Sequence, residues 1–200
     1  MKSYGQYCGL AKALDHVGDR WTLLIVRELM IGRRRYSGIR DALPRIATNL
    51  LADRLRDLTE DGVISRHEDG SYELTEFGRG LEDAVYGLIR WGGRWMTERG
   101  PREDFRAEWL AVALEALLPD RPRSGRIEIH VDGAVLSVEK GRVEVGEKED
   151  PDAVVEGTPE AILGVAAGEL PLSTVRIRGD RRLASRFMRP GPRRAQQVLV

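Results

Sequence analysis

Apolar positions recur along the first half of the chain at helical spacing. Leu10, Leu14 and Val17 mark one side of a helix over 8–17, and Asp19 stands where it can cap a second over 21–30. Gly32 ends that helix. After the triplet Arg33-Arg34-Arg35, a short helix is predicted over 37–43, closed by Pro44. Leu51, Leu55 and Leu58 then place one apolar face on a helix over 46–60, with Thr48, Asn49, Ala52, Asp53 and Arg56 on the other. The period changes to two after Gly62. Val63 to Arg66 and Tyr72 to Leu74 alternate as strands around the turn Glu68-Asp69-Gly70. Thr75 caps a further helix predicted to run through Leu81, Val85, Leu88 and Trp91 to about Met96.

The segment 98–104, rich in Gly, Pro and charge, is the expected boundary, with domains over 1–98 and 105–200 and a linker over 99–104. Beyond it the pattern predicts an apolar helix over 105–118, then strands over 126–131, 134–139, 142–145 and 153–156. Asp132-Gly133 and Lys140-Gly141 are the turns. Thr158 caps a helix whose first position is Pro159 and whose end is Gly168. A strand over 175–178 and a short helix over 182–188 follow, and the arginine-rich tail from Pro190 has no assignment. The whole reads as an α+β chain: a helix-turn-helix with a hairpin wing, then a small domain with an antiparallel-rich sheet and helices.

Charge sharpens this picture. The chain of 200 residues is formally neutral, so it is not basic throughout as a nonspecific nucleic-acid coat would be. Between Arg27 and Arg56, however, eight arginines face only Glu28, Asp41 and Asp53, whereas 144–160 is acidic apart from Lys148. A winged helix presents residues near the start of its second helix to base edges while basic neighbours hold phosphates. Thr48, Asn49, Ala52 and Arg56 are the expected reading residues. Arg35, Ser37, Arg45, Arg54, Arg66 and His67 are the expected surrounding contacts. Arg54 and Arg56 have an alternative as solvating groups paired with Asp57, Glu60 or Asp61. Double-stranded DNA is the expected partner.

Cys8, Gly18-Asp19-Arg20-Trp21-Thr22-Leu23-Leu24-Ile25, Gly32 with Arg35-Tyr36, Gly62-Val63-Ile64 and Tyr72-Glu73-Leu74-Thr75 with Gly78 carry a family likeness. Over about half of its length the chain resembles the HxlR-type winged-helix regulators. The resemblance implies a homodimeric bacterial transcription factor related in fold to the MarR type. Ala47 stands where that family has a capping serine, so capping is expected from Thr48 or the backbone, and the hairpin is shorter than the family's wing. The second half, on 153–162, 167–170 and 175–180 with Leu183 and Phe187, resembles a sterol-carrier-protein-like domain. That likeness implies a hydrophobic effector site or a retained scaffold for dimerisation. Phe105, Trp109, Leu110, Ala113 and Leu117 would wall the pocket, or else pack a core.

Cys8 occupies a position that in some members of the family is redox-sensing; its alternative is a small buried hydrophobe, and nearby Lys12 is a candidate for lowering its pKa. Leu88, Trp91 and Trp95 suggest a dimer seam, with contact to the second domain as the alternative. A single cysteine excludes an internal disulfide framework, and no secretory signal or apolar span appears, so a soluble cytoplasmic protein without membrane contact is expected. No cofactor or metal is expected. His16, His67 and His130 are scattered without ligand spacing, and no phosphate-binding glycine loop or nucleophile elbow supports an enzyme. The competing reading is a lipid-binding or protein-interaction module whose winged helix does not bind DNA.

Overall fold

In a computed structural model of the chain, the structure describes residues 3–96, 99–100, 102–118 and 124–190. The arginine-rich tail beyond Pro190 lies outside them. The chain divides into two compact units, Met1–Val85 and Tyr86–Val200.

The first unit opens with α1 (Gly9–Val17), α2 (Thr22–Ile31), β1 (Arg34–Arg35), α3 (Tyr36–Ala42) and α4 (Thr48–Glu60). Strands β2 (Ile64–Arg66) and β3 (Ser71–Leu74) and the one-turn helix α5 (Glu76–Arg79) follow. Asp19 accepts the Trp21 N–H at 2.9 Å, which tightens the entry to α2. Ile25, Val26 and Leu29 of α2, Ile39 of α3 and Leu51, Leu55 and Leu58 of α4 are almost fully buried and form the core. At the end of α4 the Gly62 N–H donates to Thr59 O and the Val63 N–H to Leu58 O, with Gly62 at φ +70°. This left-handed glycine turns the chain directly into β2.

Three features differ from expectation. Helix α4 begins at Thr48, not Ile46, because Ile46 is buried in the approach while Ala47 takes the cap position. Arg34 and Arg35 form a third strand, β1, antiparallel to β3, so the sheet order is β1-β3-β2. The long helix expected over 75–96 is interrupted. Helix α5 ends at Arg79, α6 runs over Glu82–Gly92, and a 3-10 turn covers Gly93–Trp95. Gly78 and Gly80 weaken helix continuity there. Thr75 does cap α5, its Oγ1 accepting the Gly78 N–H at 3.0 Å.

The second unit contains α7 (Ala107–Leu117), β4 (Ile127–Val131), β5 (Ala134–Glu139), β6 (Arg142–Val145), β7 (Ala153–Glu156), α8 (Pro159–Ala166), β8 (Arg176–Gly179) and α9 (Arg181–Phe187). Asp132-Gly133 and Lys140-Gly141 all have positive φ, the geometry that two-residue hairpin turns require. Thr158 Oγ1 accepts the Ala161 N–H and Pro159 is the first residue of α8, as the sequence predicts. The sheet order is β6-β5-β4-β7-β8, and β4 and β7 run parallel, a pairing that a simple meander does not contain. Helices α7, α8 and α9 contribute to one apolar core with Ile127, Ile129, Leu136, Val138 and Val155.

Helix α6 is tied to α7 by Tyr86 Oη donating to Glu115 Oε2 (2.9 Å) and Arg90 donating to Ala116 O (2.9 Å). Glu115 also accepts the Val143 N–H at 3.2 Å, joining α7 to β6. On β4, the buried Glu128 carboxylate lies 2.8 Å from His130 Nε2 and accepts the Lys148 N–H at 3.0 Å. These two contacts, His130 foremost, hold the Glu128 carboxyl below its ordinary value against the opposing effect of burial.

Gly78→Ala should destabilise the first unit by about 1–3 kcal/mol, because a Cβ there would lie 2.0 Å from the Val63 carbonyl oxygen; chemical denaturation checks it. Since the folded-state pKa of Glu128 is depressed, its stabilisation is complete above the unfolded value of about 4.3 and is lost as pH falls through the lower folded value. Hydrogen exchange at the Lys148 amide should therefore accelerate on acidification below about pH 4, relative to the intrinsic rate. Glu128→Gln should remove that dependence.

Candidate nucleic-acid interface

The rotation of α4 follows from its core. With Leu51, Leu55 and Leu58 buried, Thr48, Asn49, Ala52 and Arg56 emerge together on the exposed side. Asp53 is half-buried beside them. Arg56 lies 2.9 Å from Asp53 and 3.8 Å from Asp57, so its guanidinium is held along the helix by two carboxylates. Arg54 has a different role. Its Nη1 donates to Asp57 at 2.7 Å and its Nε lies 3.4 Å from Asp19, which fastens α4 to the entry of α2. The pairing expected as an alternative for Arg54 and Arg56 thus involves Asp57 in both cases.

No side chain caps Ala47, and the Thr48 hydroxyl does not serve in its place; the Ala47 carbonyl begins the helix by accepting the Leu51 N–H at 3.0 Å. Tyr36 Oη donates to the Thr48 carbonyl at 3.0 Å, fixing the start of α4 against the start of α3. Ser37 on α3 and Arg45 before α4 are exposed.

The arginine triplet divides by partner. Arg33 donates to Asp69 Oδ1 at 2.6 Å and to Ser71 Oγ. Arg34 donates its Nε proton to Glu28 O at 3.2 Å and lies 3.7 Å from the Glu28 carboxylate. Arg35 remains exposed, 4.0 Å from Asp69. Glu28 is buried within α2, and Arg27 donates to its Oε1 at 3.1 and 2.7 Å. Neither the Glu28 anchor nor the Arg33–Asp69–Ser71 clamp follows from local pattern; a carboxylate inside an apolar helix, close to several arginines, is the signal that points to the first.

The hairpin between β2 and β3 closes with the His67 N–H donating to Ser71 O at 2.8 Å and Gly70 at φ +79°. Ser71 donates to Asp69 Oδ1 from its hydroxyl (2.6 Å) and its N–H (3.1 Å). Together with Arg33, these donors hold the Asp69 carboxyl far below the usual carboxylate range. The wing is therefore short and internally braced. Arg66 is exposed with its guanidinium 5.9 Å from the Tyr72 ring centre, and His67 Nε2 lies 2.8 Å from Glu73.

The other expected residues fall elsewhere. Cys8 is exposed at the cap position of α1, and the N–H groups of Ala11 and Leu10 lower its thiol pKa. Lys12 lies 3.9 Å from Asp15, and the cause of the shift is the helix start, not the lysine expected for it. Leu88 and Trp91 on α6 and Trp95 after it are exposed, with the two indole rings edge to face at 4.6 Å. On and before α7, Leu110 is buried in the core, Phe105 and Leu117 pack against it, and Trp109 and Ala113 are half-buried. Among the described residues no cluster of His, Cys, Asp and Glu could hold a metal, and no helix is long and apolar enough to cross a membrane.

A hairpin wing that follows a helix whose exposed side carries Thr48, Asn49 and Arg56, and that β1 extends to three strands, defines the winged helix-turn-helix class. Residues 16–100 match the family model described as HxlR-like helix-turn-helix. The uncharacterized HTH-type transcriptional regulator YdeP of Bacillus subtilis is 33% identical over 94 residues, 44% of this chain and 73% of YdeP. YybR of the same organism is 31% identical over 109 residues, 52% of this chain and 85% of YybR. The solved structure of quinone-bound YodB from B. subtilis is 30% identical, with a TM-score of 0.40 over 42% of this chain and 96% of YodB. The chain belongs to the HxlR-like helix-turn-helix family, and its role is that of a transcriptional regulator, not an enzyme.

Glu28→Ala should leave Arg27 and Arg34 without their buried counter-charge and cost about 3 kcal/mol. Thermal unfolding checks the loss, and weakened exchange protection in β1 and β3 would locate it.

Proposed function

We propose that this chain is a cytoplasmic bacterial regulator that binds a palindromic operator in double-stranded DNA as a homodimer. The observation that carries the reading is the common exposure of Thr48, Asn49, Ala52 and Arg56 on a helix fixed in rotation by its buried leucines. Asn49 has the donor and acceptor pair that matches adenine, Thr48 offers a hydroxyl and a methyl, and Arg56 can exchange its carboxylate partners for a phosphate or guanine. Arg35, Ser37, Arg45 and Arg66 supply exposed polar or cationic groups around that helix. Arg54 supports the interface from behind. The braced turn and the engaged His67 make the wing a backbone contact.

A two-fold operator requires two recognition helices about one DNA turn apart. The exposed Leu88, Trp91 and Trp95 supply an apolar seam for a second copy, and Leu10 and Leu14 on α1, with Tyr7 before it, leave a further apolar side exposed. The second unit is assigned to a sterol-carrier-like domain over 105–200, joined through 99–104. Phe105, Trp109, Leu110, Ala113 and Leu117 give it an apolar helix continuous with its core. An apolar effector entering beside α7 is the corresponding mode of control.

Cys8 favours a redox input as well. The Cys8 thiol is exposed and the N–H groups at the start of α1 lower its pKa, so it ionises more readily than a free cysteine; its thiolate attacks the peroxide O–O bond to form a sulfenic acid, and the expelled hydroxide takes up a proton to leave as water.

The double variant Asn49→Ala with Arg56→Ala should weaken binding to the DNA upstream of the gene by about 10- to 100-fold and erase its preference over random duplex. Titration at several salt concentrations measures both; wild-type affinity equal for the two duplexes would overturn the reading. Trp91→Glu with Trp95→Glu should yield a monomer by sedimentation. Native mass spectrometry should detect an apolar passenger, and a bare mass with a melting temperature unmoved by fatty acids or sterols would restrict α7 to packing. Peroxide should abolish DNA binding in the wild type and spare Cys8→Ser.

A further inference from the structure

The last part of the second unit carries a charge that its core does not require. Between Val175 and Arg189 stand Arg176, Arg178, Arg181, Arg182, Arg186 and Arg189, against Asp180 alone. All six arginines are exposed. Leu183, Ala184, Phe187 and Met188 are buried, which fixes the rotation of α9 and turns the arginines of this helix outward. Arg178 on the edge strand β8 is paired with Glu156. Among the described residues, no carboxylate pairs with the other five.

The nearby acids are already engaged. Asp180 Oδ1 accepts the N–H groups of Arg182 (2.9 Å) and Leu183 (3.0 Å), and Asp152 Oδ2 accepts the Arg126 N–H at 2.7 Å. Arg182 and Arg186, one helical turn apart, line an open cleft of about 520 Å³ with Ser124, Gly125, Asp152 and Asp180. The carboxylates beside this face are Asp180, Asp152 and Glu156, the first two taken up by backbone N–H groups and the third by Arg178. Six exposed arginines against these three acids leave the β8–α9 surface with a cationic excess suited to a polyanion.

We propose that the β8–α9 arginine surface is a second contact for double-stranded DNA, holding the phosphate backbone without reading bases. The proposal rests on the reading that α4 binds DNA, and it assigns the second unit a share of the affinity. Charge complementarity identifies the occupant. Guanidinium groups present forked donors that match phosphate oxygens, and several of them on one short helix and its neighbouring edge strand can follow a backbone. A covalent tether to the recognition helix raises their effective concentration at the duplex, so individually weak contacts suffice. Specificity stays with Asn49 and its neighbours.

The test uses the full chain and a duplex from upstream of its own gene, with random duplex as the comparison. Wild type is measured beside Arg181→Ala/Arg182→Ala/Arg186→Ala, the corresponding triple Lys variant, and Asn49→Ala. The triple Ala variant should lower affinity about tenfold near 100 mM salt and flatten the slope of log affinity against log salt by about 2.7, since each of the three lost phosphate contacts removes about 0.9. It should retain the preference over random duplex. The triple Lys variant should restore the slope, whereas Asn49→Ala should lose preference with the slope unchanged.

An unchanged slope in the triple Ala variant overturns the proposal while leaving the α4 reading intact. Loss of binding in both triple variants also overturns it, since charge is then not the acting property. If wild type binds neither duplex, both readings fail. If the triple Ala variant alters sedimentation without DNA and leaves the salt slope unchanged, the arginines engage a second copy and the proposal is wrong.

Discussion

The carboxylate of Glu28 is the charge around which the first unit is arranged. Removing a carboxylate from water costs several kcal/mol unless cations and hydrogen bonds replace its hydration. Arg27 supplies two hydrogen bonds from the same helix, and Arg34 supplies a nearby cation from the strand that follows. Because Arg34 also donates to the Glu28 backbone carbonyl, β1 is positioned by the helix before it pairs with β3. Arg33, one residue earlier, is thereby brought to Asp69 and Ser71 at the wing turn. One buried charge thus connects the interior of α2 to the outermost hairpin. The geometry of the wing is set from inside the unit.

This arrangement divides the basic residues into those that build and those that remain available. Arg27, Arg33, Arg34 and Arg54 are held by the unit's own acids and Arg56 lies along α4 between Asp53 and Asp57, whereas Arg35 lies on the outside, 4.0 Å from Asp69. Charge density along the sequence overstates the exposed basic field, because a guanidinium braced between protein carboxylates presents little free potential to solvent. In the second unit the relation is reversed. The arginines of β8 and α9 contribute little to the core yet dominate their surface. The two units therefore use one residue type for different ends.

Much of the fold is legible wherever a local rule determines conformation. Asp132-Gly133 and Lys140-Gly141 place two hairpins because few residues tolerate positive φ, and Thr158-Pro159 places the start of α8 because the cap and the fixed proline φ agree. The leucine stripe of α4 likewise determines which side carries Thr48 and Asn49. Long-range partners are less visible. Strand β1 is only two residues long, both arginine, and exists through pairing with Tyr72 and Ser71. The parallel β4–β7 pair depends on a connection whose course no local period records. The interruption after Arg79 overrides a continuing apolar period where Gly78 and Gly80 lower helix propensity, and Gly78 is held to glycine by its close approach to the Val63 carbonyl. For the same reason, Arg54 and Arg33 reveal their structural roles only when Asp19 and Asp69 are near in space.

The unoccupied cap at Ala47 gives the recognition helix an unfinished first turn. Its leading N–H groups have no side-chain acceptor from residue 47, so solvent must satisfy them in the free protein. An anion arriving from a duplex would complete that turn and bring the partial positive end of the helix into use. A serine at 47 would supply that acceptor from within the helix. The first turn of α4 thus owes its order to contacts from neighbouring elements, the Tyr36 hydroxyl on the Thr48 carbonyl above all, and not to a cap of its own.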